Sequence, residues 1–289
     1  MSLSMDSIGF VLITHGAPAQ IIRLIKALSA LYSNPPIAIH HDFDQCPLDV
    51  SSFENVKVVR PHFRTQWCGY SVVEATLACV ALLYESRNPD WFAVLSGACY
   101  PTKIGGDVVT DLKKGDYDAY IDHKLIDPFH LETDYQRECF RRYYSLHFGL
   151  KKLDRRMTPV KIAELNAPYK MHNHRCYAGS EWFTANRAVA KHIISSQQKY
   201  SWLASHLEKR HCPDETYFQT VVCNASQFKL SNNNHRYIDW SSHLPHPKEL
   251  DLEDLPAILQ SSSHFARKFA VDSAVLDRLD VLLGIESQP

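Results

Sequence analysis

The stretch His211-Cys212-Pro213-Asp214-Glu215-Thr216-Tyr217-Phe218 sets two carboxylates directly behind a proline. Proline suits the first position of a helix, where its missing N–H costs nothing, so a helix is expected to open at Pro213 and run toward Asn224. Asp214 and Glu215 then occupy the first turn, against the positive end of the helix dipole, and a carboxylate held there is expected to be ionised at neutral pH. An ionised carboxylate at the mouth of a helix can take a proton from a substrate hydroxyl, which makes Glu215 the candidate general base. The plainer reading is that the pair only caps the helix. Other clusters have metal-ligand character. Asp42-Phe43-Asp44 and Asp116-Tyr117-Asp118 are Asp-x-Asp pairs of the kind that can hold a divalent ion. His172-Asn173-His174-Arg175-Cys176 has the residue types of a zinc site but lacks a second ligand pair at finger-like spacing.

A base of this kind needs a scaffold, and the N-terminal half supplies one. Ile8-Gly9-Phe10-Val11-Leu12-Ile13 is continuously apolar, as in a strand buried on both faces, and Thr14-His15-Gly16 ends it. From Pro18, Ile21, Leu24, Ile25, Leu28 and Leu31 recur at helical spacing until Asn34-Pro35-Pro36 stops them. Ile37-Ala38-Ile39-His40 is the next strand, running out into His41 and Asp42, and Val56 to Val59 the third. Ser71 and Glu74 have capping-box spacing ahead of a nearly all-apolar helix through Leu83. Trp91 to Ser96 and Ala119 to Asp122 complete five strands.

Strands alternating with helices over the first 125 or so residues predict an α/β, Rossmann-like domain: a mostly parallel central sheet flanked by helices, with ligand sites beyond the carboxyl ends of the strands. The second half is less regular. Residues 126 to 175, with the basic pairs Arg141-Arg142, Lys151-Lys152 and Arg155-Arg156, read as a helix plus long loops. A helix is expected from about Ala185, an edge strand over His235 to Trp240, a loop at Pro245-His246-Pro247 and a closing helix from Ser273 to Leu283. With no repeat and no low-complexity linker, residues 1–289 read as a single domain.

Composition narrows the partners. A net charge of −1 over 289 residues argues against a nucleic-acid surface, which normally carries an excess of Lys and Arg. No apolar run reaches membrane-span length, and no signal-peptide pattern opens the chain; Met1-Ser2-Leu3-Ser4 ahead of Met5 reads as a cloning remnant. The eight cysteines show no repeated spacing, and several lie in apolar runs, so all are expected to be reduced core residues. The expected location is the cytoplasm, with peripheral association at the inner face of a membrane left open.

Five segments in one order, from about Ile8 to about Asp272, resemble the core-2/I-branching β-1,6-N-acetylglucosaminyltransferase and peptide O-xylosyltransferase family, which also includes plant β-glucuronosyltransferases. Trp67-Cys68-Gly69-Tyr70-Ser71-Val72 resembles W-G-G-x-S-L, and Leu95-Ser96-Gly97-Ala98-Cys99-Tyr100-Pro101-Thr102-Lys103 resembles L-S-G-x-D-x-P-L-[KR]. Gly179-Ser180-Glu181-Trp182-Phe183 is similar to G-S-x-W-F, Cys212-Pro213-Asp214-Glu215 to S-P-D/E-E, and Phe265-Ala266-Arg267-Lys268-Phe269 to F-A-R-K-F. Cys99 departs from the family acid.

The resemblance implies a GT-A fold, inverting transfer from a UDP-sugar to a glycan or glycoconjugate hydroxyl, and no metal or other cofactor, the UDP-sugar being a co-substrate. Residues about 5–125 would bind the nucleotide sugar, and residues about 126–289 would bind acceptor and carry the chemistry. It makes Glu215 the base, and Arg236 and Lys268 the cations on the leaving diphosphate, work that a metal ion does in Asp-x-Asp enzymes. Thr14, His15, Asp42 and Trp67 fall to the nucleotide, with Asp42 matching the family's I-H-x-D. Glu132, Arg141 and Arg142 fall to the acceptor, though Arg141 and Arg142 also fit a basic helix face. Trp182 is a sugar platform or, more plainly, a core aromatic. Two other readings stay open: a metal-dependent transferase using Asp42 and Asp44, and a carbohydrate-binding relative that lost the reaction. N-acetylglucosamine, xylose and glucuronic acid are all used as donor sugars within the family.

Overall fold

The computed structural model describes residues 7–145, 158–242, 244 and 246–285. The opening Met1-Ser2-Leu3-Ser4, the basic pairs Lys151-Lys152 and Arg155-Arg156, and Pro245 lie outside the described residues. In chain order the elements begin with β1 (Ile8–Thr14), α1 (Pro18–Leu31), β2 (Ile37–His41), β3 (Val56–Val58), α2 (Tyr70–Ser86), β4 (Trp91–Ser96), β5 (Tyr100–Pro101), α3 (Gly105–Lys114) and β6 (Ala119–Tyr120). There follow β7 (Lys124–Leu125), α4 (Asp134–Tyr144), α5 (Pro159–Met171), β8 (Tyr177–Ala178), β9 (Thr184–Asn186), α6 (Arg187–Lys199) and α7 (Ser201–Leu207). A 3-10 turn (Pro213–Glu215), α8 (Tyr217–Cys223), β10 (Leu230–Ser231), β11 (Arg236–Ile238), α9 (Leu255–Gln260), β12 (Phe265–Arg267) and α10 (Ala274–Leu283) follow.

The main sheet has the order β10-β6-β9-β4-β1-β2-β3. β1 is parallel to β2 and β4, and β2 to β3, which is the mostly parallel sheet that the alternation of strands and helices predicts. Every residue of β1 is buried, because its pleat feeds two cores at once. Val11 and Ile13 face α2 and α6 through Val73, Val80, Leu83 and Ile193, while Phe10 and Leu12 face α1 and α10 through Leu24, Leu28, Leu276 and Leu279. A three-stranded sheet, β11-β12-β5, and the β7-β8 pair complete the frame. Among the described residues no helix is long and apolar enough to cross a membrane.

Four local expectations are corrected. α2 starts behind Gly69 without a side-chain cap, and the Ser71 hydroxyl accepts the Gln66 N–H at 2.9 Å instead of closing a box with Glu74. The fifth strand stops at Tyr120. The helix expected from Ala185 begins at Arg187, because Thr184, Ala185 and Asn186 form β9, antiparallel to both β4 and β6. Asn186 then caps α6, its side chain accepting the Val189 N–H at 3.0 Å.

The fourth correction touches the chemistry. Pro213 opens only one 3-10 turn, which Thr216 (φ −142°) interrupts before α8 begins at Tyr217. The Thr216 hydroxyl donates to the Tyr177 carbonyl at 2.7 Å, a tie to β8 that a continuous helix would forfeit. The cysteine expectation is also overturned in part: Cys68 and Cys212 form a disulfide, while the other six are free thiols.

Candidate active site

The turn that carries Glu215 is held on three sides at the rim of the sheet. Cys212 is bonded through sulfur to Cys68, just ahead of α2, and its N–H donates to the Cys68 carbonyl at 3.0 Å. On the opposite side the Gly179 N–H donates to the Glu215 carbonyl at 2.9 Å. Position 179 tolerates no side chain, since a β-carbon there would sit 1.9 Å from the Asp122 carbonyl oxygen, and this accounts for the glycine in Gly179-Ser180-Glu181-Trp182-Phe183. The third side is α4, opened by a capping box between Thr133 and Gln136. Its last turn presents Arg142, whose Nη1 lies 2.7 Å from Glu215 Oε2 and whose Nη2 lies 2.5 Å from Glu138 Oε1.

Electrostatics at this turn differ from what a helix N-terminus would give. Burial, then the charge of Asp214, pushes the Glu215 carboxyl up to about 7, and Arg142 opposes them without prevailing. The expectation of a carboxylate simply ionised by a helix dipole therefore fails, because the helix is interrupted and the site is desolvated. The Glu215 side chain keeps 38% of its surface exposed, so a substrate can reach it. Behind it, Asp214 is buried and hydrogen-bonded to Glu181, and burial raises both. Arg267 acts against the rise at Glu181.

The cations divide differently from the expectation. The Arg267 guanidinium lies 4.8 Å above the Trp182 ring, and Lys268 Nζ lies 3.4 Å from Glu249 Oε1. Arg236 is 8% exposed, and its two terminal nitrogens are spent within the protein. Nη1 donates to the Asn234 carbonyl at 2.7 Å, and Nη2 to Phe183 at 3.1 Å, Thr184 Oγ1 at 3.2 Å and Val94 at 3.3 Å. Burial pulls its pKa down to about 10, with Arg267 adding to the effect. Arg236 is thus a buried charge behind the site rather than an open phosphate fork.

Trp182 is 5% exposed and roofed by Arg267, a core aromatic and not an open sugar platform. Trp67 is 78% exposed and edge-on to His211 at 6.3 Å, which sets it beside the Glu215 turn. Glu132 is exposed ahead of α4, and Arg141 lies half-buried on the same last turn as Arg142.

At the ends of β1 and β2, Thr14 is buried with its hydroxyl 2.9 Å from His41 Nδ1, and His15 is exposed. Asp42 is fully buried, and its carboxylate accepts from Gln45 Nε2 at 2.7 Å, Thr65 N at 3.0 Å, and Thr65 Oγ1 and Asp44 N at 3.2 Å. Burial would raise it; these donors override that and leave it below the ordinary aspartate range. An acid so buried and so bonded organises its loop. Cys99 is likewise inward, its sulfur accepting the Ser96 N–H at 3.3 Å.

Sequence reasoning gave Glu181 no role and took Asp214 only as half of a first-turn pair, although both lie inside quoted motif segments; the signal was the carboxylate next to the residue chosen. Among the described residues, the group able to offer three metal ligands is Cys68, His211 and Cys212, two of which are bonded to each other.

With this geometry in place, the chain can be compared with known proteins. The family model described as Core-2/I-Branching enzyme matches residues 8–260. The chain is similar to beta-glucuronosyltransferase GlcAT14B of Arabidopsis thaliana, 28% identical over 285 residues that cover 89% of this chain and 62% of that protein. It is also similar to xylosyltransferase oxt of Drosophila melanogaster, 27% identical over 304 residues covering 94% of this chain and 33% of the relative. The match thus covers less than two thirds of the length of either relative. A solved galactosyltransferase, LgtC, in complex with donor and acceptor sugar analogues, superposes over 96% of this chain and 97% of its own, with a TM-score of 0.43 and 8% identity.

Proposed function

The chain belongs to the Core-2/I-Branching enzyme family, and from that premise we propose that it is an inverting glycosyltransferase, moving a sugar from a UDP-sugar to a glycan hydroxyl. Glu215 removes the acceptor proton as the acceptor oxygen attacks the anomeric carbon from the face opposite the diphosphate. The bond to the diphosphate breaks with its electron pair, and UDP carries the new negative charge away. Lys268 and Arg267 meet that charge directly, and the buried Arg236 adds positive potential from behind. Donor binding belongs to the β1-to-β6 half and acceptor binding to the rest, within one domain. N-acetylglucosamine, xylose and glucuronic acid are the donor sugars to be tested.

One observation carries this reading: the Glu215 carboxyl, ion-paired to Arg142 at 2.7 Å, half-open to solvent and pushed up to about 7. A base whose pKa lies near the working pH combines ionisation with proton affinity, and that is the best compromise for general-base catalysis. The test is Glu215→Gln in an assay of UDP release from UDP-N-acetylglucosamine, UDP-xylose and UDP-glucuronic acid with glycan acceptors. The rate is expected to fall about 10³-fold; near wild-type transfer by this variant would refute the base. The same assay with a chelator is expected to be unchanged, because the occupied Asp42 carboxylate would have to give up its donors to bind an ion.

A further inference from the structure

Cys68 and Cys212 are 144 residues apart, yet they join the loop before α2 to the turn that carries Glu215. Both occupy left-handed backbone, φ 57° and 50°, where a β-carbon is a disadvantage and glycine is not. The motif that Trp67-Cys68-Gly69 resembles, W-G-G, has glycine at the middle place. A cysteine there is tolerated when something holds it, and the crosslink to Cys212 does. From Cys212 the base is one hydrogen bond away: the Glu215 N–H donates to the Cys212 carbonyl at 3.2 Å. The main chain at Glu215 is therefore clamped between Gly179 and Cys212, and only the second clamp depends on a bond that chemistry can open.

We infer that the Cys68–Cys212 disulfide is a reversible positioning staple, which keeps Glu215 in register for proton removal when oxidised and releases it when a dithiol reduces the bond. The inference rests on the reading of Glu215 as the base. Access favours attack at Cys68, which is half-buried beside the exposed Trp67, whereas Cys212 is 4% exposed. One thiolate of the dithiol bonds to Cys68 Sγ, the Sγ–Sγ bond breaks, and its electron pair goes to Cys212 Sγ, which takes up a proton. The second thiolate of the reductant then displaces Cys68 as a thiol and closes the reductant into a cyclic disulfide. Two electrons and two protons pass to the protein. His211, whose ring nitrogen lies within 4.8 Å of both sulfurs, is placed to exchange the proton at Cys212.

The experiment compares the purified chain as isolated, after reduction with dithiothreitol, and after re-oxidation by oxidised glutathione. Alkylation of the unfolded protein followed by mass analysis gives the state of Cys68 and Cys212. Hydrogen exchange of the peptide containing Cys212 to Thr216 gives the order of the turn, and UDP release from the donor panel gives kcat and KM. Reduction is expected to speed exchange in that peptide and to lower kcat at least tenfold with donor KM unchanged, both reversing on re-oxidation. Cys68→Ala is expected to stay at the low rate and to ignore dithiothreitol, and if it does not fold, the reversible cycle on the unaltered chain decides.

The inference is overturned if both thiols alkylate in the protein as isolated and stay unpaired after glutathione treatment, or if one zinc equivalent is found on Cys68, His211 and Cys212. It is equally overturned if reduction leaves exchange and kcat alike. Failure of the functional reading looks different: no UDP release in any redox state, while the exchange result still judges the staple.

Discussion

Two buried regions of this protein carry carboxylates, and they titrate in opposite directions. At the end of β2, the Asp42 carboxylate is surrounded by neutral donors from Asp44, Gln45 and Thr65 and lies below its ordinary range. Around the turn after Cys212, the buried Asp214 lies beside the partly exposed Glu215 and Glu181, and all three are pushed up. Burial is the first cause at both places, so desolvation alone does not distinguish them. The difference is what faces the oxygens. Hydrogen-bond donors stabilise the anion and make Asp42 a fixture of its loop, while neighbouring acids destabilise the Glu215 anion and leave it able to gain and lose a proton near neutrality.

The sharpest way to break this contrast is to remove the cation paired with Glu215. Arg142→Met deletes the guanidinium that holds Glu215 down, so the Glu215 carboxyl is expected to rise above about 7 and to lose its fixed orientation. Transfer at pH 7 should fall about 10²-fold and recover in part above pH 8, which a pH series of kcat reads directly. A loss that is equal at every pH would mean that Arg142 only supports the fold.

A smaller effect is expected from the quiet side. Asp42→Asn turns an acceptor oxygen into an NH2 group among donors, which should cost about 2 kcal/mol of stability, measured by denaturant unfolding at pH 7. The sign follows from the depressed pKa. The stabilisation is fully present above the unfolded value of 3.8 and is lost as pH falls through the lower folded value, so the difference between the two proteins should shrink toward acid.

The regions were also unequally legible. Apolar continuity in Ile8 to Ile13 and Trp91 to Ser96, and helical spacing from Pro18 to Leu31, are local signals, and the strands and helix formed there. β9 gave no such signal: Thr184-Ala185-Asn186 has no run and no alternation, and it is a strand only because β4 and β6 lie on either side of it. The break at Thr216 was hidden for the same reason, since the Tyr177 carbonyl that its hydroxyl reaches belongs to another element. Glu215 and Lys268 could be read from motif segments, and Asp214 stands beside Glu215 in its own segment, but the other groups that set the Glu215 pKa, Arg142 and Glu138, come from α4. The Cys68–Cys212 pair spans 144 residues and has no spacing rule to reveal it.

Replacing Asp214 makes the most delicate comparison, because the change from Asp to Asn is the one already described at position 42 and the expected sign is opposite. Asp214 is buried, its Oδ1 has no hydrogen-bond partner, and its charge is the second cause of the rise at Glu215. With Asn there, the carboxyl group at Glu181 keeps a hydrogen-bond partner, and the folded state no longer takes up a proton at this position. A raised carboxyl means that the folded chain binds more protons than the unfolded one, between the ordinary value of 4.5 and about 7 for Glu215, so stability declines as pH climbs through that window. Asp214→Asn should therefore leave stability at pH 8 unchanged or higher, while moving the ascending limb of the pH–kcat profile below its wild-type position near 7. The shift is expected to be a fraction of a pH unit to about one. If the limb stays where it was, Asp214 does not set the affinity of Glu215 for its proton, and desolvation with the charge of Glu138 is left as the cause.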